Sequence, residues 1–197
     1  MNSLFTPYKL GNFDLNHRVV LAPMSRYRCS KKMSHNPMTV EYYEQRSTDG
    51  GLLIMEATHI NPEGTPIWKI YESIREHGGE APGIWNDDQT AANRLLVEVV
   101  HKKGAKISCQ LQHCGRVAQE DIKDHPIIKG KNFPIGPVSS SAVRIKANSD
   151  KGNHYNWDQP SSIPRALDIS DICRVFEDYA NAASNAVKAS ILKKLFG

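Results

Sequence analysis

Three short apolar runs, separated by stretches long enough to hold helices, set the strongest limit on what this chain can fold into. They lie at residues 19–22, 51–57 and 105–111, and the second reads Gly51-Leu52-Leu53-Ile54-Met55-Glu56-Ala57. Continuous apolar runs of this length, without polar alternation, are the signature of parallel strands covered on both faces. Pro23 closes the first run because it cannot donate to a sheet ladder. Between the runs, residues 37–46 and 87–103 carry helical patterning, and a third, strongly amphipathic helix is predicted over 170–188. Pro37 suits a first helical position, and Gly104 suits the C-terminal cap of the second helix. Ala91, Ala92, Leu95, Leu96, Val99 and Val100 predict the buried face of that helix. Ile172, Val175, Phe176, Tyr179, Ala180, Ala183 and Val187 give the apolar stripe of the third. Strands alternating with helices argue for a parallel α/β protein. An N-terminal hairpin is expected over 4–15. Two long polar loops, 58–87 and 114–167, complete the pattern, and loops of that length are commonly functional.

The 197 residues are enough for one domain with a sizeable core. They are short of the roughly 250 that a closed eight-fold βα barrel takes. No strand pattern follows the third helix, so the βα series reads as a fragment of something larger. The formal charge of +4 comes from scattered lysines and arginines, which argues against a nucleic-acid partner. No apolar run approaches the length of a membrane span, and no basic stretch leads into an apolar one as in a signal peptide. Cys29, Cys109, Cys114 and Cys173 include no CxxC pair. They read as free thiols of a cytoplasmic protein, with neither a disulfide framework nor a metal site expected.

In parallel sheets and barrels, chemistry gathers at the C-terminal ends of the strands. Here those ends are Ala22-Pro23-Met24-Ser25, Glu56-Ala57-Thr58 and Gln110-Leu111-Gln112-His113. The GxGxxG and GxxxxGK[ST] phosphate loops are absent. Ser25 has no identifiable base partner, and His113 alone reads as a structural histidine. Gln110 offers an amide donor and an acceptor, and Ser25 a hydroxyl. Small side chains at Ala22, Pro23 and Ala57 would let a flat heterocycle approach the backbone.

Several segments carry a family resemblance. They are Ala22-Pro23-Met24-Ser25-Arg26, Tyr42-Tyr43-x-Gln45-Arg46, Gly51-Leu52-Leu53-Ile54-x-Glu56-Ala57-Thr58, Pro82-Gly83-Ile84-Trp85, Val100-His101-x-x-Gly104 and Gln110-Leu111-x-His113-x-Gly115-Arg116. In this order they resemble the old yellow enzyme family, whose plant branch contains the 12-oxophytodienoate reductases. Pro164-Arg165-x-Leu167 and the third helix fit as well, so the resemblance runs over residues 1–189, with 190–197 a divergent tail. It implies an FMN-dependent TIM-barrel oxidoreductase, of which this chain would form a truncated partial barrel of three to four βα units. Such an enzyme takes hydride from NADPH and delivers it to the C=C of an α,β-unsaturated carbonyl substrate. By matched motif, Pro23, Met24, Ser25, Ala57 and Gln110 would contact the flavin. Ser25 stands where the family usually has Thr, and Gln110 would pair with the pyrimidine edge. Tyr27 would contact substrate. For each, the plainer alternative is a residue packed at a strand end.

Three departures qualify the resemblance. Gln112 replaces an aromatic or small residue, which implies a different substrate pocket. Residues 67–80 look inserted. The family's next strand, carrying a carbonyl-binding His and Asn with a proton-donating Tyr beyond, does not follow the third helix. No catalytic residue is therefore assigned. The sequence implies a reductase by descent, weak or inactive as this chain alone, whose open sheet edges would favour self-association. The alternative is a non-catalytic splice or gene-model remnant, or an interaction protein.

Overall fold

The structure is a computed structural model that describes residues 3–65, 79–118, 125–130, 134, 136–145 and 162–191. The expected hairpin pairs β1 (Tyr8–Leu10) with β2 (Phe13–Leu15) in antiparallel register. The three expected strands form one parallel sheet in the order β3 (Val20–Leu21), β4 (Leu52–His59), β5 (Lys106–Gln112). Val20 pairs with Leu52 and Leu52 with Lys106, so adjacent strands begin level. The intervening helices are α1 (Pro37–Gln45), α2 (Asp87–Lys102) and α3 (Ile169–Lys188).

Helix boundaries follow from side chains that satisfy orphan amides. Asn36 and Asp168 each form a reciprocal capping box, with Thr39 and Asp171 respectively. The Asn86 side chain accepts from the Gln89 amide at 2.9 Å. After α2 the chain reverses at Gly104 with φ +80°, and a Cβ there would collide with the Asp49 carboxylate. Glycine is thus required both by backbone angle and by space.

The sheet's two faces have different fates. Leu53, Met55 and Ile107 point toward the helices and join Tyr43, Ile84, Leu96, Val97, Val100, Ala182 and Ala186 in the main core. Each fully buried aliphatic there contributes about 1.5–3 kcal/mol. Leu52, on the opposite face, packs with Phe13 and Leu15. The hairpin therefore closes that face at the N-terminal end of the strands. Toward their C-terminal ends the same face is open among the described residues, and Gln110 is exposed.

Four sequence expectations need correction. The first strand is not buried: Val19 and Val20 are 47% and 39% exposed, because β3 is an edge strand among the described residues. In α2 the buried residues are Gln89, Thr90, Asn93, Leu96, Val97 and Val100, while Leu95 is exposed. Hydrogen bonds turn this helix. Gln89 Oε1 accepts from the Trp85 amide at 2.9 Å, its Nε2 donates to Lys32 O, and Asn93 Nδ2 donates to Gln89 O. In α3, the side in contact with the core is Ala182, Asn185 and Ala186. Ile172, Phe176, Tyr179 and Val187 of its apolar stripe are exposed. Finally, the polar loops are not structureless. Residues 60–65 are buried, and β6 (Val138–Ser139) pairs in parallel with β7 (Arg165–Ala166) within the second loop. The segment expected to be an insertion, 67–80, lies almost wholly outside the described residues. No helix among the described residues is long and apolar enough to cross a membrane.

A buried ion-pair network holds α3 to the loop after β4. Arg174 Nη1 lies 2.9 Å from Glu63 Oε2, and His113 Nε2 lies 3.6 Å from the same oxygen. Asn61 Nδ2 donates to Asp178 Oδ2 at 2.7 Å. Burial pushes the Glu63 carboxyl up, but its bonds to His113 and Arg174 outweigh this and hold it below its ordinary value. Its contribution is therefore present above pH 4.5 and lost as pH falls through the lowered value. Arg174→Leu should destabilise the chain by about 2–3 kcal/mol at neutral pH, since it strands a buried carboxylate. The deficit should shrink on acidification, as that carboxylate protonates. Urea denaturation at two pH values checks both signs.

Candidate functional site

The C-terminal ends of β3, β4 and β5 form the candidate site, and a bulge in β4 organises it. Met55 pairs with Cys109, yet Ala57 pairs with Gln110, so Glu56 is the extra residue. A bulge re-aims the side chains that follow it. Leu52, Ile54, Ser108 and Gln110 lie on the open face by simple alternation. The bulge brings Ala57 to that face beside Gln110 and sends Glu56 to the helix side. Ala57 and Gln110 are thus cross-strand partners at the open C-terminal end. Ala57 itself is 8% exposed and puts only a methyl group over its backbone, while the adjacent Gln110 is exposed.

The segment after β3 runs alongside this pair. The Arg26 amide donates to Glu56 Oε2 at 2.7 Å, which fixes residues 22–26 along β4. Pro23 is half-buried, Met24 is 46% exposed and Ser25 is exposed. Tyr27 is half-buried with φ +50°, a left-handed conformation uncommon for a bulky residue. Its carbonyl stands 2.2 Å from where a Cβ of Gly79 would lie, so the close approach of these two backbones depends on glycine. The structure brings Pro23, Met24, Ser25, Ala57 and Gln110 to one end of the sheet, and Tyr27 lies on the same connecting segment.

The set matches a flat heterocycle with donors and acceptors on one edge. Gln110 supplies both, Ser25 supplies a hydroxyl, and Ala57 clears space for the ring. These features fit the isoalloxazine of FMN.

The titratable groups nearby are structural. Glu56 is buried; its amide donates to Tyr43 Oη at 2.9 Å, and burial pushes its carboxyl up to about 7 against the opposing Arg26 and Tyr27 amides. His113 accepts the Gly115 amide at Nδ1, 3.0 Å, which leaves Nε2 as the protonated nitrogen facing Glu63. This agrees with its reading as a structural histidine. Gln112 donates to Cys114 Sγ at 3.4 Å. The sequence reading missed the buried roles of Glu56, Glu63 and His59. The one available signal was a glutamate inside an otherwise apolar strand.

Compared with known proteins, the chain matches the NADH:flavin oxidoreductase / NADH oxidase family over residues 3–191. In Oryza sativa subsp. japonica it is 38% identical to 12-oxophytodienoate reductase 1 and 36% identical to 12-oxophytodienoate reductase 7, each over 190 residues. Both alignments cover 94% of this chain and 42% of the relative. Among solved structures it is similar to the old yellow enzyme homologue from Zymomonas mobilis, with a TM-score of 0.75 and 32% identity, over 95% of this chain and 46% of that one. For morphinone reductase the TM-score is 0.72 and the identity 34%, over 95% and 45%. These structural relatives are TIM barrels. The chain spans less than half the length of the relatives it matches, and its described strands correspond to part of such a barrel.

His59, at the C-terminal end of β4, gives a pH prediction. Burial first, and His113 second, hold its imidazole down at about 4 from an ordinary 6.5, against an opposing bond with the Gly64 backbone. Between those values the unfolded chain binds a proton that the folded one does not. Stability present above pH 6.5 should therefore fall by roughly 3 kcal/mol as pH drops through 4. His59→Leu should flatten that limb in urea denaturation followed from pH 7 to pH 4.

Proposed function

Because this chain belongs to the NADH:flavin oxidoreductase / NADH oxidase family, we propose that its β3–β4–β5 strand ends bind the isoalloxazine of FMN. The observation that carries this reading is the Ala57–Gln110 pair on the open sheet face. FMN, when bound, supplies hydride exchange between NADPH and the C=C of an α,β-unsaturated carbonyl. Each of this chain's residues has a limited task. Gln110 hydrogen-bonds the pyrimidine edge through its carboxamide. Ala57 leaves the backbone accessible to the ring. Pro23 and Met24 pack against the ring, and the Ser25 hydroxyl donates toward its carbonyl side, where a donor favours developing negative charge. Tyr27 contacts substrate. Polarising the substrate carbonyl and returning a proton call for groups beyond this set, because His59 and His113 are committed to structural roles. On that ground we assign the chain alone a low turnover.

A second reading, action through association, draws on a different observation. Ile172 and Phe176, one helical turn apart on α3, are 45% and 74% exposed, and exposed apolar stripes commonly mark contact surfaces. A second copy of the chain is the occupant proposed. A mass that does not rise with concentration in light scattering would remove this reading.

Gln110→Leu should weaken FMN binding about 10- to 100-fold, in line with about 1.5–3 kcal/mol for an unmatched polar edge. Ala57→Phe should abolish binding by filling the approach to the backbone, and overpacking at this 8% exposed position should also lower stability by about 1–3 kcal/mol in urea denaturation. Quenching of flavin fluorescence measures binding in both. Equal affinity in all three proteins would defeat the flavin site. Anaerobic NADPH should bleach any bound flavin only slowly.

A further inference from the structure

On the helix side of the β4 bulge, opposite the flavin-facing pair, three side chains of different chemistry converge. Cys29 and Glu56 are each 1% exposed and His35 is 7% exposed. Each contributes one donor atom, and all three atoms lie within 4.8 Å of one another. Cys29 Sγ stands 3.6 Å from His35 Nδ1. A tetrahedral zinc ion with Zn–S of about 2.3 Å and Zn–N of about 2.0 Å separates its sulfur and nitrogen ligands by about 3.5 Å.

The polar atoms here are under-used. Glu56 Oε2 accepts from the Arg26 amide, but buried Oε1 has no hydrogen-bond partner. Buried polar atoms are rarely left so without a reason. A cavity of about 130 Å³, lined in part by Arg26, Thr39, Tyr43 and Glu56, adjoins the cluster. It reaches the cluster at Glu56 and has room there for a water ligand.

We propose that Cys29, His35 and Glu56 bind a zinc-class divalent cation, which staples the β3–α1 connection to the C-terminal end of β4. Thiolate and imidazole select such an ion over magnesium or calcium, which take oxygen ligands. Binding replaces the thiol S–H bond with a metal–sulfur bond and releases that proton to solvent. The cavity side leaves the fourth position to water. The site does not depend on flavin, because its ligands point to the opposite face of the sheet from Ala57 and Gln110.

The test uses the full chain, stripped with a chelator and titrated with Co²⁺ or Zn²⁺ in the absence of FMN. One equivalent of metal should bind, and the cobalt form should show thiolate-to-cobalt charge-transfer absorption. Cys29→Ser should remove that absorption and weaken Zn²⁺ binding at least about 100-fold. Glu56→Gln should weaken it about 10-fold or more. Cys173→Ser, at an exposed thiol, should bind as the unsubstituted chain does. Zn²⁺ should raise the Tm of the unsubstituted chain and leave that of Cys29→Ser unchanged. The cobalt spectrum of the unsubstituted chain decides the matter even if Cys29→Ser fails to fold. Substoichiometric binding, or cobalt bound without the thiolate band, would overturn the proposal. So would a band that survives Cys29→Ser or vanishes with Cys173→Ser.

Discussion

The bulge at Glu56 is the constraint on which the rest of the structure depends. Without it, strict alternation would carry Glu56 to the open face and Ala57 into the helix-side core. A carboxylate would then occupy the place where the proposed flat ligand approaches. With it, one extra residue puts a methyl group and a carboxamide side by side on the open face. The carboxylate goes to the other side, where the Arg26 amide meets it. The Tyr43 hydroxyl takes up the Glu56 amide, so α1 is tied to the bulge through the group that the disrupted ladder leaves unpaired.

Much of the architecture was legible because it rests on local rules. Three apolar runs, Pro37 at a first helical position and Gly104 at a C-terminal cap locate the elements correctly. What failed was helix orientation. A count of apolar residues chose Leu95 and passed over Gln89 and Asn93, yet the two polar residues are fully buried and Leu95 is not. The partners of the Gln89 side chain, Trp85 and Lys32, lie outside the helix, and no periodicity within α2 can register a hydrogen bond to a distant loop. The same limit hid the pairing of β6 with β7, which joins two-residue segments 27 positions apart.

The site was legible to a different depth. The residue types at the strand ends suggested a flat heterocycle, and the family resemblance named it. The bulge was not legible, because Gly51-Leu52-Leu53-Ile54-Met55-Glu56-Ala57 reads equally well as a regular strand. The sequence therefore could not say which face Ala57 takes. Nor could it link Cys29 to Glu56. Metal-site patterns in sequence rely on close spacing, as in CxxC. Here two donors lie six residues apart on a connection and the third lies on a strand, so only the fold assembles them.

Both candidate sites act on one short stretch of chain. Residues 22–26 hold Pro23, Met24 and Ser25 at the C-terminal end of β3, with Met24 and Ser25 exposed, and Cys29 begins the return toward α1. This stretch holds a left-handed Tyr27 and has only a two-residue strand, β3, to anchor its start. Its stiffness must come from its contacts: the Arg26 amide on Glu56, the paired backbones of Cys29 and Glu80, and a cation at Cys29 if one binds. The proposed planar recognition would tolerate little error in the position of Met24 and Ser25. The helix side of the bulge therefore bears on the proposed flavin site without touching it, since Glu56 both holds the connection and, by leaving the ladder, presents Ala57.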